Sequence, residues 1–114
     1  MGGHKKKGKE EMNISILIGR LTKDVELRYT ANTQTAVSAF NLAVDRPSSD
    51  DTDFILCKVF GKTAENLEKY CHKGSKIGVQ GRIQVDSYED MNGDKKFITM
   101  VLADRIEFLD KKGE

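Results

Sequence analysis

Hydrophobic and polar residues alternate along most of this chain, and a period of two predicts β-strands. The first such stretch is Asn13–Leu21, and the pattern continues over Val25–Tyr29. Gly19 interrupts it, which predicts a bulge or a bend of the kind found where a barrel closes. One face of this strand is rich in isoleucine while Leu17 lies on the other, and the isoleucines are Ile14, Ile16 and Ile18.

A second strand is predicted at Ala36–Arg46, a third at Asp53–Lys62, a fourth from Ile77 to Tyr88 and a fifth at Phe97–Phe108. Turn-forming residues separate several of these strands. The predicted turns lie at Ala31–Gln34, Pro47–Thr52 and Asn92-Gly93. The last of these predicts a two-residue hairpin turn.

One segment has a helical pattern instead. Ala64, Leu67 and Tyr70/Cys71 recur every three to four residues, which predicts a helix over Thr63–Cys71 that Lys73-Gly74 closes. The order strand, strand, strand, helix, strand, strand predicts an all-β fold. We expect a five-stranded barrel with one helix between the third and fourth strands, which is the OB-fold.

The third strand presents two different faces. Small and medium apolar side chains occupy one of them, namely Ile55, Cys57 and Val59. Lys58 lies on the other face, together with Phe54, Leu56 and Phe60. An unpaired ammonium is costly to bury, so this second face is expected to meet solvent. The alternative is a strand covered on both faces, with Lys58 reaching out at an edge.

The fourth strand supports the solvent-exposed interpretation. Four apolar residues share one of its faces, namely Ile77, Val79, Ile83 and Val85. The opposite face is polar, and it carries Gln80, Arg82, Gln84, Asp86 and Tyr88. More cations lie near strand ends and around the helix, namely Arg28, Lys62, Lys69 and Lys73. Exposed rings beside cations are typical of surfaces that stack bases and attract phosphates.

The composition allows only a local electrostatic attraction for nucleic acid. The 114 residues suit one domain, with a formal net charge of +1. Four lysines lie in the first eleven residues, and residues 12–110 hold 13 Lys and Arg against 15 Asp and Glu, or −2. Any attraction for phosphate must therefore come from where the cations lie.

Three segments are expected from these shifts in composition. Residues 1–11 predict a flexible basic extension or an artificial addition, with a nucleic-acid-binding arm as the alternative. Residues 12–110 form the predicted domain, and residues 111–114 are a polar end. The lysines at the N-terminus are followed by no apolar segment of a secretory signal, which predicts a cytoplasmic protein.

The sequence contains no combination of residues that predicts catalysis. Gly61-Lys62-Thr63 lacks the earlier glycine of a phosphate-binding loop, because Leu56 occupies that position. Asp90–Asp94 lacks the length and closing glutamate of a calcium loop. The two cysteines are too far apart for a zinc motif, so free thiols are expected. We expect a binding protein without a metal or cofactor.

Several motifs resemble the bacterial and phage single-stranded DNA-binding proteins. The match covers residue 12 to about residue 109, and its segments follow in the same order as in that family. They are Gly19–Thr30, Phe40–Arg46, Phe54–Glu65, Lys73–Ser75 and Gly78–Arg82.

This resemblance implies an OB-fold that assembles, usually as a homotetramer, and coats single-stranded DNA in replication, recombination and repair. It places stacking rings at Phe54, Phe60 and Tyr88. The cationic candidates, drawn from the resemblance, the exposed faces and the matching motifs, are Arg20, Arg28, Arg46, Lys58, Lys62, Lys73 and Arg82.

The chain departs from the family in three places. Pro47-Ser48-Ser49 stands where a further ring often lies, and Gln84-Val85-Asp86 replaces a basic approach to Tyr88. The acidic tip that recruits replication proteins is absent, so we expect a truncated core or a short phage-type form with no assignable replication partner. The alternative function is a primosomal replication-restart module that binds DNA weakly and can be dimeric.

Overall fold

The computed structural model describes residues 11–110, so the predicted end segments, 1–11 (apart from Glu11) and 111–114, lie outside this range. Its elements in chain order are β1 (Ser15–Leu21), β2 (Arg28–Tyr29), β3 (Ala36–Asp45), β4 (Thr52–Phe60), α1 (Gly61–Tyr70), β5 (Lys76–Glu89) and β6 (Lys95–Phe108).

The sheet closes on itself because β1 pairs on both of its edges. It runs antiparallel to β5 over Ser15–Arg20 and antiparallel to β3 at Arg20 and Leu21. The circuit is completed by the β5–β6 and β3–β4 pairs and by a short parallel contact between β4 and β6. Five strands therefore form a barrel, with α1 between the third and fourth of them. The predicted OB-fold is confirmed.

The barrel interior is filled by aliphatic side chains from all five long strands and by one side of α1. Leu42, Val59 and Ile77 are fully buried, and the helix contributes Ala64 and Leu67. Both cysteines are free thiols, as predicted, and both are buried. Burial raises the pKa of Cys57 to about 12, so this thiol stays protonated at neutral pH. Within residues 11–110, no helix is long and apolar enough to cross a membrane.

Gly19 and Gly81 lie where strands approach too closely for a side chain. A Cβ atom on Gly19 would lie 2.3 Å from the carbonyl oxygen of Ala43, and one on Gly81 would lie 2.0 Å from that of Leu102. The bend predicted at Gly19 is thus the place where β1 leaves β5 and meets β3.

Three local predictions need correction. Val25–Leu27 is not a strand, and only Arg28–Tyr29 pairs, with β3. The helix begins at Gly61 and ends at Tyr70, because Cys71 is already extended and its side chain is buried. The hairpin turn is longer than two residues, because Gly93 donates its N–H to the carbonyl of Asp90 and adopts a positive φ of 83°.

Two apolar rows lie on the surface rather than in the core. The isoleucine-rich side of β1 points outward, and Ile14, Ile16 and Ile18 are 66%, 70% and 55% exposed. Ile83 and Val85 share a face with the buried Ile77 and Val79 but are themselves exposed. The pairing of β1 with β5 stops at Gly81, so the rest of the β5–β6 ribbon extends past the barrel.

Candidate nucleic-acid interface

The predicted rings and cations meet on the outer side of the sheet, because directly paired residues of neighbouring strands share a face. Phe60 lies opposite Val37, and Val37 lies opposite Arg28 on β2. The ring and the guanidinium therefore belong to one row across three strands. Phe60 is 45% exposed and Arg28 is exposed, so both are open to a ligand.

A second row runs parallel to the first. Phe54 lies opposite Ala43, and Ala43 lies opposite Arg20 on β1. The ring of Phe54 is 65% exposed. Phe54 and Phe60 are six positions apart on one strand, which places them about 20 Å from each other. Each ring can therefore hold a different base, and no single base can touch both.

A third row links β4 to the ribbon. Lys58 lies opposite Ala39 on one side and Leu102 on the other, and Leu102 lies opposite Arg82. Tyr88 follows Arg82 by six residues on the same strand, so it belongs to the same face and is 54% exposed. We call this surface the aromatic face and define it as Arg28, Phe54, Lys58, Phe60, Arg82 and Tyr88.

Lys58 is not an edge lysine reaching away from a covered strand. Its Nζ lies 5.9 Å from the centroid of the Phe60 ring, within the range of a cation–π contact. A groove of about 410 Å³ separates β4 from β2 and is lined by Lys58, Arg28, Glu26, Val37 and Ala39. Val37 and Ala39 on β3 have short side chains and form the floor of the groove. The Phe60 ring and the cations of Lys58 and Arg28 therefore project above this floor. The carboxylate of Glu26 lies beside them.

The candidate cations differ in whether acidic side chains hold them. Among residues 11–110, no carboxylate lies within 4.0 Å of the charged groups of Arg28, Lys58, Lys73 or Arg82. Lys62 has only a loose partner, since its Nζ is 4.0 Å from Glu65 and its side chain is 82% exposed. These five cations are available to phosphate.

The two arginines that remain are engaged within the protein. Arg20 donates from Nη1 to the carbonyl of Gly74 at 2.8 Å and lies 3.8 Å from Asp110. Arg46 donates two well-formed hydrogen bonds to Asp53, at 2.9 and 3.1 Å. The hydrogen bonds and charge of this pair raise the pKa of Arg46 and lower that of Asp53. A phosphate would have to compete with these carboxylates.

Besides Tyr29, which is 53% exposed on β2, three exposed rings lie outside the site that the sequence predicts. The helical period predicts Tyr70 on the core side of α1, but its side chain is 60% exposed. Phe97 and Phe108 are 67% and 43% exposed on β6. Each has a signal in the sequence, because Lys69 precedes Tyr70, Lys95 lies two residues before Phe97, and Phe108 alternates with charged residues.

Comparison with known proteins gives one consistent result. Residues 12–109 match the single-strand binding protein family. The chain is 50% identical over 103 residues to a single-stranded DNA-binding protein of Clostridium tetani, covering 87% of this chain and 71% of that protein. It is 46% identical over 107 residues to one of Oceanobacillus iheyensis and 48% identical over 107 residues to one of Halalkalibacterium halodurans, covering 90% of this chain each time. It spans 66% and 63% of the lengths of those two relatives.

Proposed function

We propose that this chain, which belongs to the single-strand binding protein family, binds single-stranded DNA on its aromatic face without sequence preference. Binding of this kind would coat and protect the strand during replication, recombination and repair. The observation that carries the proposal is the shared outward side of Phe54, Phe60 and Tyr88, with Lys58 and Arg82 between them.

Stacking supplies the affinity without a sequence code. A base laid on an exposed ring is worth about 1–3 kcal/mol, and every base has a π-face to offer. The rings stand about 20 Å apart along β4, so successive contacts would be spread along the strand. Duplex DNA keeps its bases stacked on one another, and so it cannot use these rings.

The phosphates would be held by the cations that carboxylates leave unpaired or, for Lys62, contact only at 4.0 Å. Arg28 and Lys58 border the groove beside Phe60, and Arg82 lies across the sheet from them. Lys62 and Lys73 lie near the two ends of α1. Each phosphate neutralised on a single strand should contribute about 0.7 to the slope of log K against log salt. Arg20 and Arg46 would contribute less, because the carbonyl of Gly74 and the carboxylate of Asp53 already accept hydrogen bonds from their guanidinium groups.

The outward isoleucines support self-association, and we propose a homotetramer, with a dimer as the smaller alternative. Ile16 and Ile18 line an open groove of about 260 Å³ together with Leu17, Val79 and Leu109. Apolar rows of this kind on a sheet surface mark protein–protein contacts when they are contiguous. A second copy of this chain would bury them.

The proposed activity is binding alone. Among residues 11–110, no three His, Cys, Asp or Glu side chains are grouped to hold a metal ion. The proposal needs no bond to break and no cofactor, since stacking and ion pairing account for it.

Fluorescence anisotropy of a labelled oligo(dT), measured as salt is raised, tests this function. We expect saturable binding at low salt that weakens steadily with added salt. A duplex of the same length should bind far more weakly. Absence of binding at low salt, or equal affinity for duplex, would overturn the proposal. Weak binding by a tight dimer would instead favour a replication-restart module.

A further inference from the structure

A second group of exposed rings lies at the end of α1, away from the aromatic face. Tyr70 and Phe108 contact each other, with ring centroids 5.9 Å apart and planes tilted by 48°. They are 60% and 43% exposed. The Nζ atom of Lys69 lies 5.3 Å from the centroid of Tyr70. Single exposed apolar residues are ordinary, whereas two rings in contact beside a cation offer a surface on which a base can stack.

This group repeats the chemistry of the aromatic face. There, Lys58 lies 5.9 Å from the ring of Phe60, and here Lys69 takes the same place beside Tyr70. Phe60 is the residue directly before α1, and Tyr70 is the last residue of that helix. A helix of 10 residues is about 15 Å long. The distance from Phe60 to Tyr70 along α1 is thus similar to the distance of about 20 Å from Phe54 to Phe60 along β4.

Lysines mark the route between the two groups of rings. Lys62 lies at the start of α1, Lys69 near its end and Lys73 in the turn that follows. The helix also carries Glu65 and Glu68. The Nζ atom of Lys62 lies 4.0 Å from the carboxylate of Glu65, and the Lys62 side chain stays largely exposed. A phosphate can therefore replace Glu65 as its partner at little cost.

The turn after α1 is fixed in position. The N–H of Lys73 donates to the Oδ1 atom of Asp24 at 2.8 Å, and Ser75 accepts from the N–H of His72 at 3.0 Å. The backbone is held in place while Lys73 itself remains exposed. This cation is thus presented just after the end of α1 by a rigid support.

We propose that Tyr70, with Phe108 and Lys69, is a further base-stacking platform, and that single-stranded DNA continues past Phe60 along α1 to reach it. The inference rests on the proposed function and extends its path. Charge complementarity selects DNA over an apolar peptide, because the ammonium of Lys69 lies beside the exposed Tyr70 ring. The platform would also give this chain one more stacking ring. The loop after β3 lacks the ring that the family often has there, because Pro47-Ser48-Ser49 occupies that position.

The variant Tyr70→Trp reports directly on this contact, because the chain contains no tryptophan. Its fluorescence should be quenched when oligo(dT) of about 16 nucleotides binds, and much less with about 5 nucleotides, the range of site sizes for one OB-fold. Phe97→Trp is the matched control, since Lys95 lies 5.7 Å from that ring. Phe97 pairs with Ser87, on the side of the ribbon opposite Tyr88, so its emission should not change.

The outcomes separate the two proposals. Unchanged Tyr70→Trp emission while anisotropy shows the longer oligonucleotide bound would overturn the platform and leave the function intact. Equal quenching of Phe97→Trp would also overturn it, because the response would not depend on the path along α1. If anisotropy shows no binding to the parent protein, the proposed function fails and this inference falls with it.

Affinity gives a second test. Tyr70→Ala should weaken binding of the longer oligonucleotide by about 5- to 150-fold, the range expected for one stacked base, and should not affect the shorter one. Tyr70→Phe keeps the ring and should bind like the parent protein. Equal affinity of Tyr70→Ala and Tyr70→Phe for the longer oligonucleotide would contradict the proposal. Tyr70 is exposed, so neither change should prevent folding.

Discussion

Arg46 and Asp53 form a two-pronged ion pair across the turn between β3 and β4. The Nη2 and Nε atoms lie 2.9 and 3.1 Å from the two carboxylate oxygens of Asp53. Asp53 pairs with Val44 while its neighbour Phe54 pairs with Ala43, so the carboxylate and the ring belong to opposite sides of the sheet. An arginine that looks free in the sequence is therefore directed away from the aromatic face.

This pairing predicts unequal effects of removing two arginines. Arg82→Ala should lower the slope of log K against log salt by about 0.7, because it removes one phosphate contact. Arg46→Ala should change that slope less, since Asp53 already holds its guanidinium. Oligo(dT) titrations at several salt concentrations measure both slopes. A larger loss from Arg46→Ala than from Arg82→Ala would show that phosphate displaces Asp53.

Removing a ring from the aromatic face should weaken binding without affecting the fold. Phe54→Ala and Tyr88→Ala should each cost about 1–3 kcal/mol of binding to oligo(dT), the value of one stacked base. Both side chains are more than half exposed, so thermal unfolding should change little. Tyr29→Ala is a control of similar exposure, on the side of β2 opposite Arg28. Parent-like affinity in both ring variants would exclude these rings as the platform.

The close strand contacts at Gly19 and Gly81 predict that neither position accepts a methyl group. Gly19→Ala and Gly81→Ala would drive a Cβ atom into backbone that cannot move aside, and overpacking of this kind costs about 1–3 kcal/mol or more. Gly78→Ala is the matched control, because its Cβ would meet its nearest neighbour at 3.6 Å. Urea unfolding should separate the three variants. A parent-like midpoint for Gly81→Ala would contradict the packing described here.

The buried thiol of Cys57 predicts a loss of stability at alkaline pH. Its pKa is raised from 9.0 to about 12, so above about pH 9 the unfolded chain loses a proton that the folded chain keeps. The stabilisation is complete below pH 9 and falls by about 1.4 kcal/mol per pH unit as the pH rises toward 12. Cys57→Ala lacks this titration, so its unfolding free energy should fall less steeply. Parallel curves for the two proteins would refute the assignment.

The isoleucine row predicts how the assembly can be broken. Ile16→Glu puts a carboxylate at the middle of the row, where contact with a second copy would bury it unpaired at high cost. Light scattering should then give a smaller mass than for the parent protein. Val85→Glu changes an apolar residue of comparable exposure on the ribbon and should leave the mass unchanged. An unaltered mass for Ile16→Glu would place the contact elsewhere.

The alternation of side chains predicted the barrel and most of the aromatic face. Phe54 and Phe60 are exposed while Cys57 and Val59 are buried. A strand with one solvent-exposed face places its charged residue on that face. Lys58 left two orientations open, and the polar face of the next strand, from Gln80 to Tyr88, favoured the exposed one. This argument is local, so it works wherever a single residue is too costly to bury.

Local pattern was insufficient where partner strands decide the outcome. The rows at Ile14–Ile18 and Ile83–Val85 look like core, yet they are exposed because no element within residues 11–110 covers them. Arg46 and Asp53 are seven residues apart in sequence, and their pairing depends on how the loop between them folds. The contact between Tyr70 and Phe108 joins α1 to β6. A periodic pattern within one element cannot predict a contact between two elements.

The double pairing of β1 has a consequence for biosynthesis. This strand is made first, yet Ser15 needs Gly81 and the side chain of Asn13 holds both backbone groups of Ile83, at 2.8 and 3.0 Å. A ribosome must therefore extrude β5 before β1 gains that neighbour, and β6 before the circuit is complete. Non-local strand pairing is slow and leaves edges exposed meanwhile. The nascent chain should thus depend on chaperones until almost the whole domain has emerged.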